Sequence, residues 1–481
     1  MLASLASVIA LPPALALAGP ARTAPRTSPV RAHRVLVLAL GGGVRSSACF
    51  IASRSKSLNP WGVIEGVRLP LGKLLDDPVR PGVPSRVEGY QLRSPGLEGL
   101  RVPRLRETSD GFAVLGTWDD ERGDHQRSEL VEGTGTVDPN AAGLLVRLYS
   151  ALVETRRGGS APEVPPFAIG RASSLAAAPR GQANSAAVEI GDRKQLPGDS
   201  PERRDLAART GRDFAVDEKK RQRLDDELLG HTGAGGFEAV ESYVLQHAMS
   251  HRLRTKLANP AVHFDAYGDQ QASLGTFRNG KRSLPLTNQM LMEILSVPNG
   301  GFGQGDDTAG NLALAIRLLQ MGSPAVAVTM DGFDMHSGEQ EAAPALYARL
   351  GAAWAALRFL LAHTEDPSEP GTTMLDRTLV LTTSEFGRDP GQPKSGFNGG
   401  GGSDHGSHPA CFYLGHALMG AGIRGGKYHG AVDLDSFDAR HARRRFSPQQ
   451  LLATVLQAVG ADPTDARWGF EGARAIPDLW A

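Results

Sequence analysis

Acidic and imidazole side chains gather in three short runs: Asp331-Gly332-Phe333-Asp334-Met335-His336, Ser384-Glu385-Phe386-Gly387-Arg388 and Ser403-Asp404-His405-Gly406-Ser407-His408. Carboxylate oxygens and imidazole nitrogens together suit Zn²⁺, Mn²⁺ or Mg²⁺, and a rising histidine share favours zinc over the hard-oxygen ions. Asp334 and His336 stand two apart, so an extended backbone turns both side chains the same way, where they can hold one ion. Glu385 offers a further carboxylate, and Asp404 with His405 one more of each. Taken singly, a carboxylate after a strand is more often a helix cap or loop acceptor, and a loop histidine usually binds nothing. No single spacing here is diagnostic. The coincidence of three mixed clusters, each beside glycine, is what points to a divalent-ion site. His231, His247, His263, His416 and His429 read as structural, and Arg443-Arg444-Arg445 as a solvated approach to a helix.

These runs need elements that bring them together. Val35 to Leu40 is a continuous apolar run of the kind buried on both faces of a sheet, and it stops at Gly41-Gly42-Gly43. Ser46-Ser47-Ala48 then reads as a helix start. Phe112 to Thr117 and Pro166 to Gly170 are further strands. Ala325 to Thr329 and Thr378 to Thr382 are strands that lead directly into the first two clusters, and Cys411 to Leu414 is a short strand after the third.

Between them lie amphipathic helices. One is capped at Asp306-Asp307, carries Leu312, Ile316 and Leu319, and stops before Gly322. Another opens at Ser337 with Gln340 in capping-box spacing and carries Leu346, Leu350, Trp354, Leu357 and Leu361. A last one runs from Pro448 to Val459 between Ser447 and Gly460.

Strands alternating with helices predict an α/β fold, a mainly parallel sheet sandwiched between helices. The carboxyl ends of parallel strands share one edge, where ligands bind. Clusters one and two therefore belong side by side, and the glycine loop ahead of Asp404 can swing the third over them.

The chain reads as a signal-like segment and linker (residues 1–34) followed by one domain (35–481). Within it, residues 171–235 form a charged peripheral insertion with a helix from Glu202 to Leu229. Residues 2–18 are small and apolar, with Ala16-Leu17-Ala18 as a cleavage pattern, although no basic residue precedes them and Pro12-Pro13 interrupts them. The expectation is export, with no transmembrane segment. Lys+Arg and Asp+Glu are both 52, so no net field draws the chain to nucleic acid. Cys49 and Cys411 are too few for a disulfide framework or a thiolate zinc site and read as buried thiols.

Gly332-Phe333-Asp334-Met335-His336-Ser337 resembles the Gly-Trp-Asp-x-His-Ser motif of a large, poorly characterised bacterial family of exported proteins. Ser384 to Arg388 matches its Ser-Glu-Phe-Gly-Arg motif, and Asp404-His405-Gly406 its Asp-His-Gly. That family is grouped with the alkaline-phosphatase-like superfamily, beside sulfatases and phosphodiesterases. The resemblance is strongest over residues 305–430, and Asp124-His125-Gln126-Arg127 is similar to a segment where the family tends to carry a histidine.

It implies an alkaline-phosphatase-like fold and hydrolysis of a small anionic phosphate or sulfate ester, or else a non-catalytic descendant that keeps the fold. By the resemblance, Asp334, His336 and His405 hold one ion and Glu385 a second, while Asp404 either ligates or orients His405. Arg388 clamps an ester oxygen, Ser46 or Ser47 is the nucleophile, and Arg45 and His125 meet substrate. One departure stands out. The superfamily places a metal-ligating Asp at the end of the first strand, where this chain has Gly41-Gly42-Gly43-Val44-Arg45.

Overall fold

The computed structural model describes residues 30–76, 90–120, 122–155, 164–177, 187–191, 253, 256–257, 259–262, 270–295, 308–389, 403–406, 408–430, 445–470 and 472–480. The signal-like segment, the helix expected over Glu202–Leu229, the caps at Asp306 and Asp307, and His231, His247, His263, Ser407, Arg443 and Arg444 lie outside these.

Among the described residues, eight strands form one sheet: β1 (Arg34–Leu40), β2 (Phe112–Trp118), β3 (Phe167–Ile169), β4 (Val188–Ile190), β5 (Ala325–Met330), β6 (Thr378–Ser384), β7 (Tyr413–Met419) and β8 (Tyr428–His429), in the order β8-β2-β7-β6-β1-β5-β3-β4. Five of the seven ladders are parallel; β7 alone runs against its neighbours β6 and β2. The protein is thus α/β with a mixed, mainly parallel sheet.

Alternate residues of the central strands face opposite ways, as the pleat dictates. Leu36, Leu38, Val326 and Val328 join one apolar core with helices α3 (Asn288–Leu295), α4 (Thr308–Gln320) and α5 (Glu339–His363). Val35, Val37, Ala325 and Ala327 join another, against α2 (Leu144–Thr155) and α6 (Pro448–Ala458). Both faces are covered, which is why the strands read as unbroken apolar runs. Helix α5 has the length and apolarity to cross a bilayer, but 72% of that stretch is buried inside the fold. It is a core helix.

Register explains how the site forms. Leu40 pairs with both Ser384 and Met330, so β1, β6 and β5 end together. Tyr413 pairs with Trp118, so the antiparallel β7 begins at the edge where β2 ends. Five segments therefore meet at one edge: those after β1, β2, β5 and β6, and the one before β7.

Several local details differ from expectation. Helix α5 starts at Glu339 behind the left-handed Gly338, with no capping box at Ser337, because Glu339 turns inward to an arginine described below. Pro409 opens a 3-10 turn over Pro409–Phe412, which delays β7 to Tyr413. Ser46–Ala48 is a single 3-10 turn rather than the start of a long helix. Val188–Ile190 pairs in parallel with Phe167–Ile169, so the sheet reaches into the stretch expected to be an insertion. A hairpin of Ser273–Asn279 and Arg282–Thr287 was not anticipated. Helix α6 carries the Ser447–Gln450 capping box and Pro448 in its first turn, as its sequence dictates. Cys49 and Cys411 are free and buried, and burial pushes both thiols up to about 12.

Candidate metal centre

Asp124 accepts a hydrogen bond from the Arg127 N–H at 2.9 Å and so caps helix α1 (His125–Thr134), making His125 its first residue. The His125 Nδ1 lies 2.6 Å from Glu385 Oε2, and the other carboxylate oxygen of Glu385 accepts the Gly42 N–H at 2.9 Å. The first-strand turn thus holds Glu385, and Glu385 holds His125.

After β5, the Phe333 N–H donates to Gly41 O at 3.3 Å, and the buried Phe333 ring meets Tyr347 edge-on at 5.5 Å. This anchoring leaves Asp334 and His336 at the rim, with His336 Nε2 3.0 Å from Asp334 Oδ1. The third cluster is tied to both others: Ser403 N–H donates to Met335 O at 3.0 Å, and Asp389 N–H to Asp404 O at 2.9 Å. His405 Nδ1 sits 2.7 Å from Gly123 O, which makes it the donor there, and its ring stacks on Phe386 at 4.3 Å and 26°. Asp404 Oδ1 accepts its neighbour's backbone N–H at 2.9 Å and stands 3.8 Å from His336 Nδ1.

The outcome is a trio. His125, His336 and His405, all part-exposed, each bring a ring nitrogen to within 4.8 Å of the others. Two of them have Nδ1 engaged by a carboxylate or a backbone carbonyl, the outer arrangement that orients histidine ligands and leaves Nε2 toward an ion. Three imidazoles fit a divalent metal of the zinc type. Asp334 and Asp404, with side chains 46% and 55% exposed, border the trio.

Arg388 is 1% exposed, and its guanidinium faces inward. It donates to the carbonyls of Gly42 (2.8 Å), Gly43 (3.2 Å) and Ser403 (2.7 Å) and pairs with Asp334. It braces three loops. Arg45 is equally buried: its Nε donates to Glu339 Oε1 at 2.7 Å, its backbone N–H donates to the Tyr347 hydroxyl, and its guanidinium stacks over Trp61. Ser46 donates to Tyr413 O at 2.9 Å, and the Ser47 hydroxyl has no partner among the described residues. Both serines are 1% exposed. The structure therefore gathers Asp334, His336, Glu385, Asp404 and His405 with His125, and sets Arg45, Ser46 and Ser47 in the interior.

Two of the three glycines in the first-strand turn, Gly42 and Gly43, have no room for a side chain. A Cβ on Gly42 would lie 2.6 Å from the Asp334 backbone nitrogen, and one on Gly43 would overlap the Phe386 ring. Both glycines also have positive φ, at 96° and 82°.

Sequence reasoning placed His125 against substrate and overlooked Phe386. Asp124-His125 follows β2 just as the other clusters follow or precede their strands, and that shared placement was the available signal. Phe386 carried none, because its role depends on meeting rings from two distant loops.

Fold and site together define an α/β protein with a candidate three-imidazole centre at the carboxyl edge of its sheet. The chain belongs to the family described as a protein of unknown function (DUF1501), whose model matches residues 99–475. That span contains all three imidazoles and their carboxylate neighbours, and it excludes the Gly41–Ser47 turn. No curated protein matches the chain.

Proposed function

We propose that this chain is an exported, metal-dependent hydrolase of phosphate or sulfate esters on an alkaline-phosphatase-like frame, with zinc held by His125, His336 and His405. The observation that carries the reading is the convergence of three imidazole nitrogens within 4.8 Å. An ion held there supplies the positive charge that polarises an ester oxygen and offsets charge developing on it. Glu385 and the Gly123 carbonyl orient two of the rings. With Ser46 and Ser47 buried, water is the nucleophile, and Asp404, more than half exposed beside His336, is the carboxylate placed to take its proton.

The test is metal analysis of purified protein, with turnover of aryl phosphate and aryl sulfate under zinc, manganese or magnesium. His336→Ala and Glu385→Ala should each lose bound metal and turnover while remaining folded. Wild-type metal content in both variants would end the proposal.

A second reading, a binding or surface-associated protein with one structural ion, is favoured by the acid-free first turn. Metal that is retained, and is lost in His336→Ala, without hydrolysis of either ester would select it.

A further inference from the structure

Glu385 and Phe386 follow β6 directly, and both reach the same imidazole. The Glu385 carboxylate meets His125 Nδ1 at 2.6 Å, and the Phe386 ring meets His125 edge-on, with centroids 5.0 Å apart. His405 lies nearly parallel on Phe386, at 4.3 Å and 26°, and its ring stands 4.9 Å from that of His125. Three rings from three separate loops thus close a triangle.

Phe386 is the fixed member of the three. Its side chain is fully buried, whereas both imidazoles are part-exposed. Its carbonyl accepts the Val44 N–H at 3.1 Å, and the N–H of the next residue, Gly387, donates to Cys411 O at 3.0 Å, so the backbone is tied on both sides. Gly43 packs so closely that a Cβ there would fall 2.2 Å from the ring. The outer torsion of a histidine is soft, and a single hydrogen bond through Nδ1 sets the tautomer while leaving the ring free to rock. His405 has Nδ1 on Gly123 O at 2.7 Å, and His125 has Nδ1 on Glu385. Contact with an immobile aromatic ring supplies each imidazole with its second constraint.

We infer that Phe386 is the positioning residue of the imidazole centre, holding His125 and His405 in ligand geometry before any ion arrives. The inference rests on the metal reading above and adds to it that the site is set in the metal-free chain. Ligands ordered in advance lose little freedom on binding, so the ring contributes to affinity without touching the ion.

Two measurements on the full chain, stripped with chelator, test this. In proton NMR of the metal-free chain, the carbon-bound ring protons of His405 should give sharp signals displaced upfield by the Phe386 ring current, and Phe386→Leu should abolish the displacement. In zinc titration, Phe386→Leu should bind roughly tenfold more weakly than wild type or worse. Phe50→Leu trims a ring equally buried but packed on Phe112 and Trp354, so it controls for a loosened core and should bind zinc as wild type does. Phe386→Met serves if Phe386→Leu does not fold, and the wild-type spectrum needs no variant. Undisplaced or exchange-broadened His405 signals in the wild type overturn the inference, as does an equal loss of affinity in Phe50→Leu. Wild type that binds no zinc overturns the metal centre and this inference together, whereas wild type that binds zinc beside an equally tight Phe386→Leu overturns this inference alone.

Discussion

Replacing Arg388 with methionine removes a guanidinium that is 1% exposed and donates to three backbone carbonyls, those of Gly42, Gly43 and Ser403. Each such bond to a charged donor contributes about 1.5 kcal/mol, and its loss leaves a carbonyl with little access to water. The pair with Asp334 adds less, because that carboxylate is 46% exposed and water screens it. The three carbonyls therefore set the scale, and Arg388→Met should cost about 4 kcal/mol. Arg388→Lys keeps the charge but loses the planar fork, so it should recover about half of that loss. Against a typical domain stability of about 5–15 kcal/mol the effect is large. Urea unfolding measures it directly, and metal analysis adds an independent readout, since the brace joins the loops that carry Asp334 and His405. If Arg388→Met unfolds within about 1 kcal/mol of wild type, retains its metal and loses turnover, Arg388 contacts substrate and the bracing argument fails.

Further outcomes follow from the same geometry. Gly43→Ala sets a Cβ against the Phe386 ring at a φ of 82°, so it should cost about 2 kcal/mol or more in urea unfolding and lower metal content by displacing the ring under His405. Ser47→Ala removes a buried hydroxyl that has no partner and should stabilise the chain by about 1 kcal/mol in urea unfolding; a loss of stability would refute that reading. Ser46→Ala loses its bond to Tyr413 O, costs about 1 kcal/mol, and leaves ester turnover intact if water is the nucleophile. Burial, followed by the nearby Arg122, lowers His416 from 6.5 to about 3, so the folded chain keeps it neutral while the unfolded chain protonates it below 6.5. Stability should then fall as pH drops from 6.5 towards 3, by about 1.4 kcal/mol per pH unit from this group, and His416→Gln should flatten that slope in urea unfolding.

The three clusters and their strands were legible because the pattern is local: an apolar run, then acid, histidine and glycine, all within a few residues. The sharing of one edge followed from the parallel-sheet rule. The division of labour inside the site did not follow, because it depends on pairings across the chain. Glu385 meets Gly42 across 343 positions and His125 across 260, and Arg388 meets Gly42 across 346. Those contacts set Glu385, expected as a metal ligand, against Gly42 and His125, and Arg388, expected as an ester clamp, against the backbone of the first-strand turn. The antiparallel β7 was hidden for a similar reason. A short apolar run fixes neither its direction nor its neighbours, and Pro409-Ala410-Cys411-Phe412 bends before the strand begins. Gly338 replaced the expected cap at Ser337 because Glu339, the next residue, is drawn to Arg45 some 294 positions away. Nothing in either neighbourhood announces that pair.

The turn after β1 has a consequence for how this protein tolerates change. Its contributions to the site are peptide groups: the Gly42 amide on Glu385, the Gly41 oxygen on Phe333, and the Gly42 and Gly43 oxygens on Arg388. Peptide groups persist through every missense change except one to proline, which would remove the Gly42 amide, so other mutations at Gly42 or Gly43 do harm by the bulk they introduce at a positive φ. Damage there should rank with the volume of the newcomer and ignore its charge, the reverse of the ranking expected at the histidines.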